Sequence, residues 1–455
     1  MGDDSRQTAA AVAAAVRRAG GRAYLVGGCV RDALLGRDAD DFDIEVFSLS
    51  KEQLARALAE KFRVDFVGSS FGVFKIQGAG IDVSLPRKER KTGPGHRDFE
   101  MDFSPGMSLE EAAERRDFTI NAVYMDPASG EIYDPFGGRE DLEKKILRRV
   151  SHRFSVDPLR VLRGMQFAAR FDLSADEDTI RECRNMPWDG IAPERVFAEW
   201  SKLLVKGDKI SKGLSFLRET GWTRAYPELE ALIGCLQEKE WHPEGDVWNH
   251  TLACLDAFAT ERGDDPGEEE IIGFAVLCHD FGKPVSTFYD KKKNRIRSIG
   301  HDEKGVERAK SFLGRMTREE RILKSVPPLV KYHMRPFAMW RAQSGDSAVR
   351  RLSANVGRID RLLRVASADD AGRSPYPRNP LPVEWLAEKA RRLEIESSAP
   401  KPLVMGRDLI AAGLVPGKSF GVVLKNLFLA QLDGKFSTKE QGIDFLLKNI
   451  KRFSA

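Results

Sequence analysis

Cysteine is scarce along these 455 residues: five are scattered (Cys29, Cys183, Cys235, Cys254, Cys278), with no CxxC pair among them. That spacing offers no plausible disulfide framework and suits a reducing cytoplasm. Long apolar runs are missing as well, which excludes a membrane-spanning helix. The first residues, MGDDSRQTAAAVAAAVRRAG, carry acids where a secretory signal needs its basic segment, and their Ala/Val run reads as an amphipathic helix. Met1-Gly2 with Ser5 matches a myristoylation pattern only in part, and nothing else supports it. Repeats and low-complexity tracts are absent. So is a large excess of one charge: the net of +4 permits a nucleic-acid partner without indicating one. What remains, at 42% hydrophobic and 31% charged residues, is the composition of a soluble globular protein. Its length exceeds one ordinary core, so two to four domains are expected.

Residues 1–145 alternate helix and strand signals. A helix near 5–18 leads into the apolar strand AYLV (23–26), a Gly-Gly turn and a short helix over Val30–Leu35. The strand DIEVF follows, then a helix near 50–61 and the short strands VDFVG, FGVFKI and IDVSL. RKERKTGPGHRDFEMDFSPG (87–106) loses all periodicity and is expected to be a mobile loop. From about residue 150 the pattern is helical, DPLRVLRGMQFAARF being strongly amphipathic. The three lysines at 291–293 are expected on an exposed turn.

DADDFDIEVF (38–47) places Asp41 and Asp43 on alternate positions of a strand. Alternate strand residues share a face roughly 6.5 Å apart, where two carboxylates repel unless a cation joins them. A solvated strand edge is the bland alternative. Upstream, LVGGCVRDALLG (25–36) ends a strand in Gly27-Gly28 and opens a helix, a natural phosphate cradle, with Arg31 one turn in and Asp32 as its orienting partner. Phosphate donors beside paired acids are the equipment of metal-assisted phosphoryl transfer. Asp82 in IDVSLPR is the candidate third acid, with a capping role as its alternative.

LVGGCVRD with DDFDIEV resembles the opening of the class II tRNA nucleotidyltransferase and bacterial poly(A) polymerase family, within the polymerase-β nucleotidyltransferase superfamily. ERRDFTINAVYMDPASGEIYDPFGG (114–138) is similar to that family's next motif. The resemblance implies that Arg115, Arg116, Asp117 and Asn121 contact the ribose and phosphates of the incoming nucleotide. FSVDPLRVLRGMQFAARF (154–171) follows, where Asp157 and Arg160 sit three apart and so share a helix face. In the family this pair reads the base of CTP or ATP in place of a template; a plain salt bridge is the alternative. Arg163 and Arg170 extend the basic side of that helix. Val156 stands where the family has Glu, which puts the tuning of the reader in question. VGSSFGVFKI (67–76) and the 87–106 loop are more like CCA- or A-adding enzymes than poly(A) polymerases.

A second constellation lies downstream: His242 and His250 in WHPEGDVWNHTL, His279-Asp280 in AVLCHDFGKP, His301, His333, and Asp369 in SADDAGR. The order resembles the HD phosphohydrolase superfamily. It implies metal ligands at His250, His279, Asp280 and Asp369, with His301 and His333 as further ligands or phosphate contacts. Imidazole with carboxylate suits Mn²⁺, Ni²⁺, Fe²⁺ or Zn²⁺ better than Mg²⁺ alone.

The expectation is therefore an α+β chain: a polymerase-β-like nucleotidyltransferase head (1–145), then an all-helical neck (146–225), HD body (226–395) and tRNA-binding tail (396–455). Asp41, Asp43 and Asp82 would be catalytic, the first two holding Mg²⁺. Gly28, Arg31, Arg116, Asp117, Asn121, Asp157, Arg160 and Arg163 would bind nucleotide. The activity implied is cytoplasmic addition of CCA, or of the terminal A, to the tRNA 3′ end from CTP and ATP, with a second phosphohydrolase activity in the HD body. Poly(A) synthesis is the alternative. From other classes, an HD phosphohydrolase with a decayed head and a non-catalytic RNA-binding protein stay open, as does the oligomeric state.

Overall fold

A computed structural model describes residues 2–453, apart from 40, 68–71, 92–98, 374 and 418. The chain forms two compact units, Met1–Leu203 with Lys212–Trp222, and Leu204–Ser211 with Thr223–Ala455.

In the first unit the strands include β1 (Arg22–Val26), β2 (Phe42–Phe47), β3 (Val64–Val67), β4 (Val73–Ile76), β5 (Ile81–Ser84), β6 (Arg87–Lys91), β7 (Phe99–Phe103), β8 (Tyr124–Met125) and β9 (Ile132–Tyr133), beside a short parallel pair, Ile146–Leu147 with Ser174–Ala175. Seven of them make one sheet in the order β3-β4-β5-β2-β1-β8-β9. Only β2 and β5 run parallel within it. The two faces follow from the alternation of strand side chains. Phe42, Ile44 and Val46 of β2 join Ile81 and Val83 in a core with Val12 and Val16 of α1 (Gly2–Arg18). That core also takes Leu54 and Leu58 of α3 (Lys51–Ala59), a helix started by the reciprocal Ser50–Gln53 capping box. The other face carries Tyr24, Val26, Phe47 and Tyr124, whose rings meet edge to face. Asp43 and Glu45 share this second face, away from α1 and α3. Between β1 and β2 lies the short α2 (Gly28–Leu34).

The expected loop at 87–106 is corrected in part. β6 and β7 pair as an antiparallel ribbon with Arg87 opposite Phe103 and Lys91 opposite Phe99, and residues 92–98 lie outside the described residues. A two-stranded ribbon is ordered by its backbone ladder and needs no alternating apolar face, so hydrophobic periodicity did not reveal it.

The second unit is built from helices. Val247–Thr260, Pro266–Cys278, Glu320–Tyr332 and Ile359–Ala371 pack on one another. Pro266–Cys278 is buried from Glu269 to its end, so its apolar surface is continuous rather than a stripe. It therefore delivers His279-Asp280 into the interior. The lysines at 291–293 are exposed at the turn of a two-stranded ribbon, Thr287–Asp290 with Arg295–Ser298. At the end of the chain, Gly406–Ala411, Ser419–Leu432 and Lys439–Phe453 gather around Val404, Leu409, Val423, Leu427, Phe436 and Leu446. Gly413, at φ +88°, lies in the connection between the first two of these helices. Among the described residues no helix is long and apolar enough to cross a membrane.

Candidate active sites

In the first unit, β1 ends at Val26 and Gly27 turns the chain into α2 with φ +81° and ψ −133°, a conformation open essentially to glycine. A Cβ at Gly27 would stand 3.1 Å from Arg116 Nη1 and 3.6 Å from Asp43 Oδ2. The bare backbone of Gly27-Gly28 thus adjoins the acidic strand. Asp43 faces Asp82 across the parallel β2–β5 pair, and Asp82 faces Lys75 of β4, whose Nζ lies 3.4 Å from its Oδ2. Asp41 is exposed and precedes the first residue of β2. Crowding by protein atoms raises the Asp43 pKa; Arg116 opposes this, and the carboxylates of Asp82, Asp41 and Glu45 add to it. Neighbouring carboxylates with Arg116 and Lys75 as their near cations make a place that a divalent cation would suit.

Behind the row sits a residue the sequence reading passed over. Glu45 is buried, accepts from Arg115 Nη2 at 3.1 Å and Tyr124 Oη at 2.7 Å, and lies 3.7 Å from Arg116 Nη2. Its signal was available: it continues the alternation of Asp41 and Asp43. Arg115 also donates to the Arg87 carbonyl, which ties β6 to the site.

Asp117 is buried and fully engaged: Oδ2 accepts from Arg163 Nε at 2.6 Å, and Oδ1 from Phe118 N at 2.8 Å and Asn121 Nδ2 at 3.0 Å. Burial works to raise its pKa, but Arg163 and these hydrogen bonds prevail and hold it below the ordinary value. Asn121 Oδ1 accepts in turn from Arg31 Nη1 at 2.7 Å. Arg31 itself is buried, bonded to Asp32 at 2.9 Å and stacked on Phe171 at 4.3 Å. The structure thus places Arg31 behind Asn121, not on an open wall. Helix Leu159–Phe171 begins after Asp157, which corrects the expectation that Asp157 and Arg160 share its face. Asp157 caps it instead, accepting from Leu159 N at 3.1 Å, while its other oxygen takes Arg195 Nη2 at 2.7 Å. Arg160 donates to the carbonyls of Arg153 (2.9 Å) and Arg115 (2.6 Å). Asp157, Arg160, Arg163, Arg116 and Asp117 all line one cavity of about 660 Å³, whose wall holds seven arginines against three acids. Its size is that of a small-ligand site, and its charge calls for an anion.

In the second unit the structure brings the expected histidines and acids together. His250 Nε2 lies 3.0 Å from Asp369 Oδ1, and His279 Nε2 4.0 Å from the same oxygen. His301 Nε2 lies 3.5 Å from Asp280 Oδ1 and 3.3 Å from His333 Nε2. One device recurs three times: the Nδ1 atoms of His279, His301 and His333 meet the carbonyls of Val276, Ser298 and Val330 at 2.6, 2.8 and 2.7 Å. A carbonyl accepts only from N–H, so each Nδ1 carries a proton and Nε2 is the nitrogen turned inward. Burial, then His279 and His301, push His333 down to about 4, so it is neutral at pH 7. His279 Nε2 and both carboxylate oxygens of Asp280 are buried without a well-formed hydrogen bond among the described residues; His279 Nε2 and Lys283 Nζ stand 3.2 and 2.7 Å from Asp280 Oδ2. Such a donor set fits a metal ion.

The sequence reading missed Glu244, Lys283 and Cys254 here. Glu244 Oε1 lies 2.7 Å from His250 Nδ1. Burial opposes its ionisation, but His242 and His250 hold its pKa down to about 2. A cavity of about 500 Å³ opens on Asp280, His301, His333 and Asp369, with Lys283, Arg295, Arg297, Arg341 and Arg373 also on its wall.

Comparison with known proteins matches residues 23–148 to the poly A polymerase head domain and residues 247–371 to the HD domain. A multifunctional CCA protein of Nitrosococcus oceani is 35% identical over 405 residues, covering 86% of this chain and 93% of that protein. One from Xanthomonas campestris pv. campestris is 35% identical over 428 residues, covering 90% and 97%. Among solved structures, the Bacillus stearothermophilus CCA-adding enzyme in complex with CTP aligns with 99% of this chain and 98% of its own, at TM-score 0.68 and 24% identity. The Thermotoga maritima CCA-adding enzyme complexed with tRNA covers 98% and 95%, at TM-score 0.57 and 20% identity.

Proposed function

The chain belongs to the multifunctional CCA protein family, and on that premise we propose that it is a template-independent tRNA 3′-end nucleotidyltransferase of the cytoplasm, building CCA from CTP and ATP. The observation that carries this reading is the adjacency of a row of acids, Asp43 with Asp82 and Asp41, to an arginine-lined cavity. Asp41 and Asp43 would hold Mg²⁺, with Asp82 completing the site. Mg²⁺ supplies charge neutralisation at the triphosphate and activation of the attacking hydroxyl. The rest is positioning. Arg116, kept in place by Glu45, and the bare Gly27-Gly28 backbone take the phosphates. Asp117, locked by Arg163 and Asn121, fixes the sugar end of the cavity. Asp157 and Arg160 present an acceptor and donors to the base edge, as another base would. The tRNA 3′-hydroxyl attacks the α-phosphorus in line and pyrophosphate leaves, with no protein nucleophile.

We divide the chain as a head (1–145), a neck carrying the base reader (146–225), an HD body (226–395) and a tail that grips tRNA (396–455). The body carries a second activity in this reading. His250, His279, Asp280 and Asp369, extended by His301 and His333, would hold a transition metal such as Ni²⁺, Mn²⁺, Zn²⁺ or Fe²⁺, which supplies an activated water for phosphoester hydrolysis. The five cations on the adjoining cavity wall favour a phosphate substrate there. The test of the first activity supplies tRNA ending at the discriminator base, at C or at CC, with each NTP in turn. CTP and ATP should complete all three to CCA and stop. An unlimited A ladder would make the chain a poly(A) polymerase; extension of the CC substrate alone would make it an A-adding enzyme.

A further inference from the structure

Cys254 lies one helical turn beyond His250, and that i,i+4 spacing puts both side chains on one face of helix Val247–Thr260. Its Sγ is fully buried and stands 3.4 Å from His250 Nε2. The candidate ligand atoms of His250, Cys254, His279 and Asp369 all lie within 4.8 Å of one another. Tetrahedral zinc with Zn–S near 2.3 Å and Zn–N near 2.05 Å separates sulfur from nitrogen by about 3.5 Å. The observed 3.4 Å, an S–H···N hydrogen bond in this structure, is also close to the separation of two ligands on one ion. The backbone makes room for the sulfur: a Cβ on Gly372, at the end of helix Ile359–Ala371, would stand 2.3 Å from it. An independent sign that the space receives a cation is His279 Nε2, buried, making no well-formed hydrogen bond among the described residues, and turned toward the carboxylate oxygens of Asp280 at 3.2 Å and Asp369 at 4.0 Å.

We propose that Cys254 is a thiolate ligand of the HD-body metal, joining His250, His279, Asp280 and Asp369 around one ion. The proposal rests on the reading of this cluster as a metal centre and adds a soft ligand to it. On binding, the S–H bond gives way to a sulfur–metal bond and the proton passes to bulk water; no electron is transferred. Thiolate ligation biases the site toward Zn²⁺ or Fe²⁺ over Mn²⁺ and Mg²⁺.

The test uses the full chain, stripped with a chelator and reloaded. Co²⁺ should give a near-ultraviolet sulfur-to-metal charge-transfer band that is lost in Cys254→Ser and kept in Cys235→Ser. Zn²⁺ should bind Cys254→Ser roughly tenfold or more weakly, at least the scale on which outer-shell changes act, with a smaller change for Mn²⁺. X-ray absorption of the zinc-loaded wild type, which needs no variant to fold, should show one sulfur at about 2.3 Å. Zinc bound with nitrogen and oxygen scatterers only, or a band that survives in Cys254→Ser, would overturn the thiolate ligand and leave the metal centre standing. Failure of the second unit to bind any divalent ion would overturn both.

Discussion

Asp117→Asn isolates what one buried charge does for the arginine-lined cavity. The change is isosteric, and Oδ1 can still accept from Phe118 N and Asn121 Nδ2. What is lost is the charge-assisted bond at 2.6 Å, because the new amide turns N–H groups toward Arg163 Nε. Hydrogen bonds to charged groups contribute about 1.5–3 kcal/mol. Arg163 is about one-third exposed and can rehydrate, so we take about 2 kcal/mol, or roughly 30-fold in a local opening equilibrium. The effect has a pH signature. The native Asp117 pKa is depressed, so its contribution is fully present above the unfolded value of about 3.9 and is lost as pH falls through the native one. The two proteins should therefore differ at pH 7 and converge in acid. A chain with two compact units need not unfold in one step, so the assay is amide hydrogen exchange in peptides covering 114–125, read by mass spectrometry. Unchanged protection at pH 7, or a loss that persists undiminished in acid, would refute the reasoning.

Gly27→Ala should add about 1–3 kcal/mol of backbone strain and push Arg116 from its place, so that addition falls sharply while circular dichroism stays native. Arg160→Ala should blur the choice between CTP and ATP more than it weakens tRNA binding, measured by competing labelled nucleotides against filter binding. Arg195→Ala, which frees Asp157, should act in the same direction and less strongly, and an untouched nucleotide preference would remove Asp157 from the reader. His279→Ala should leave nucleotide addition intact and abolish metal-dependent hydrolysis of a cyclic or terminal phosphate, assayed on an oligonucleotide with each divalent metal in turn.

Apolar alternation made the head legible. Phe42, Ile44 and Val46 announce β2 and so set Asp43 on the opposite face. The HD cluster was legible for another reason, since buried histidines and acids in that order have few other uses. Arg31 was legible in part: its expected pairing with Asp32 is present, but its burial under Phe171, 140 positions downstream, leaves no local trace in the sequence. Asp157 misled in its own way, because a capping Asp and a first-turn Asp look identical until the helix start is known. Glu45 and Cys254 carried a signal, at i+2 and i+4 from residues already singled out. Cysteine, though, is so often a core residue that the spacing alone says little.

The central claim is that the acid row built on Asp43 works on a nucleotide triphosphate. Incorporation of labelled CTP and ATP into tRNA lacking its 3′ end, compared between wild type and Asp43→Asn at equal bound tRNA, tests it most directly. Rapid addition by the first and none above background by the second is expected, with tRNA affinity alike in both. Turnover by Asp43→Asn close to that of wild type would contradict it.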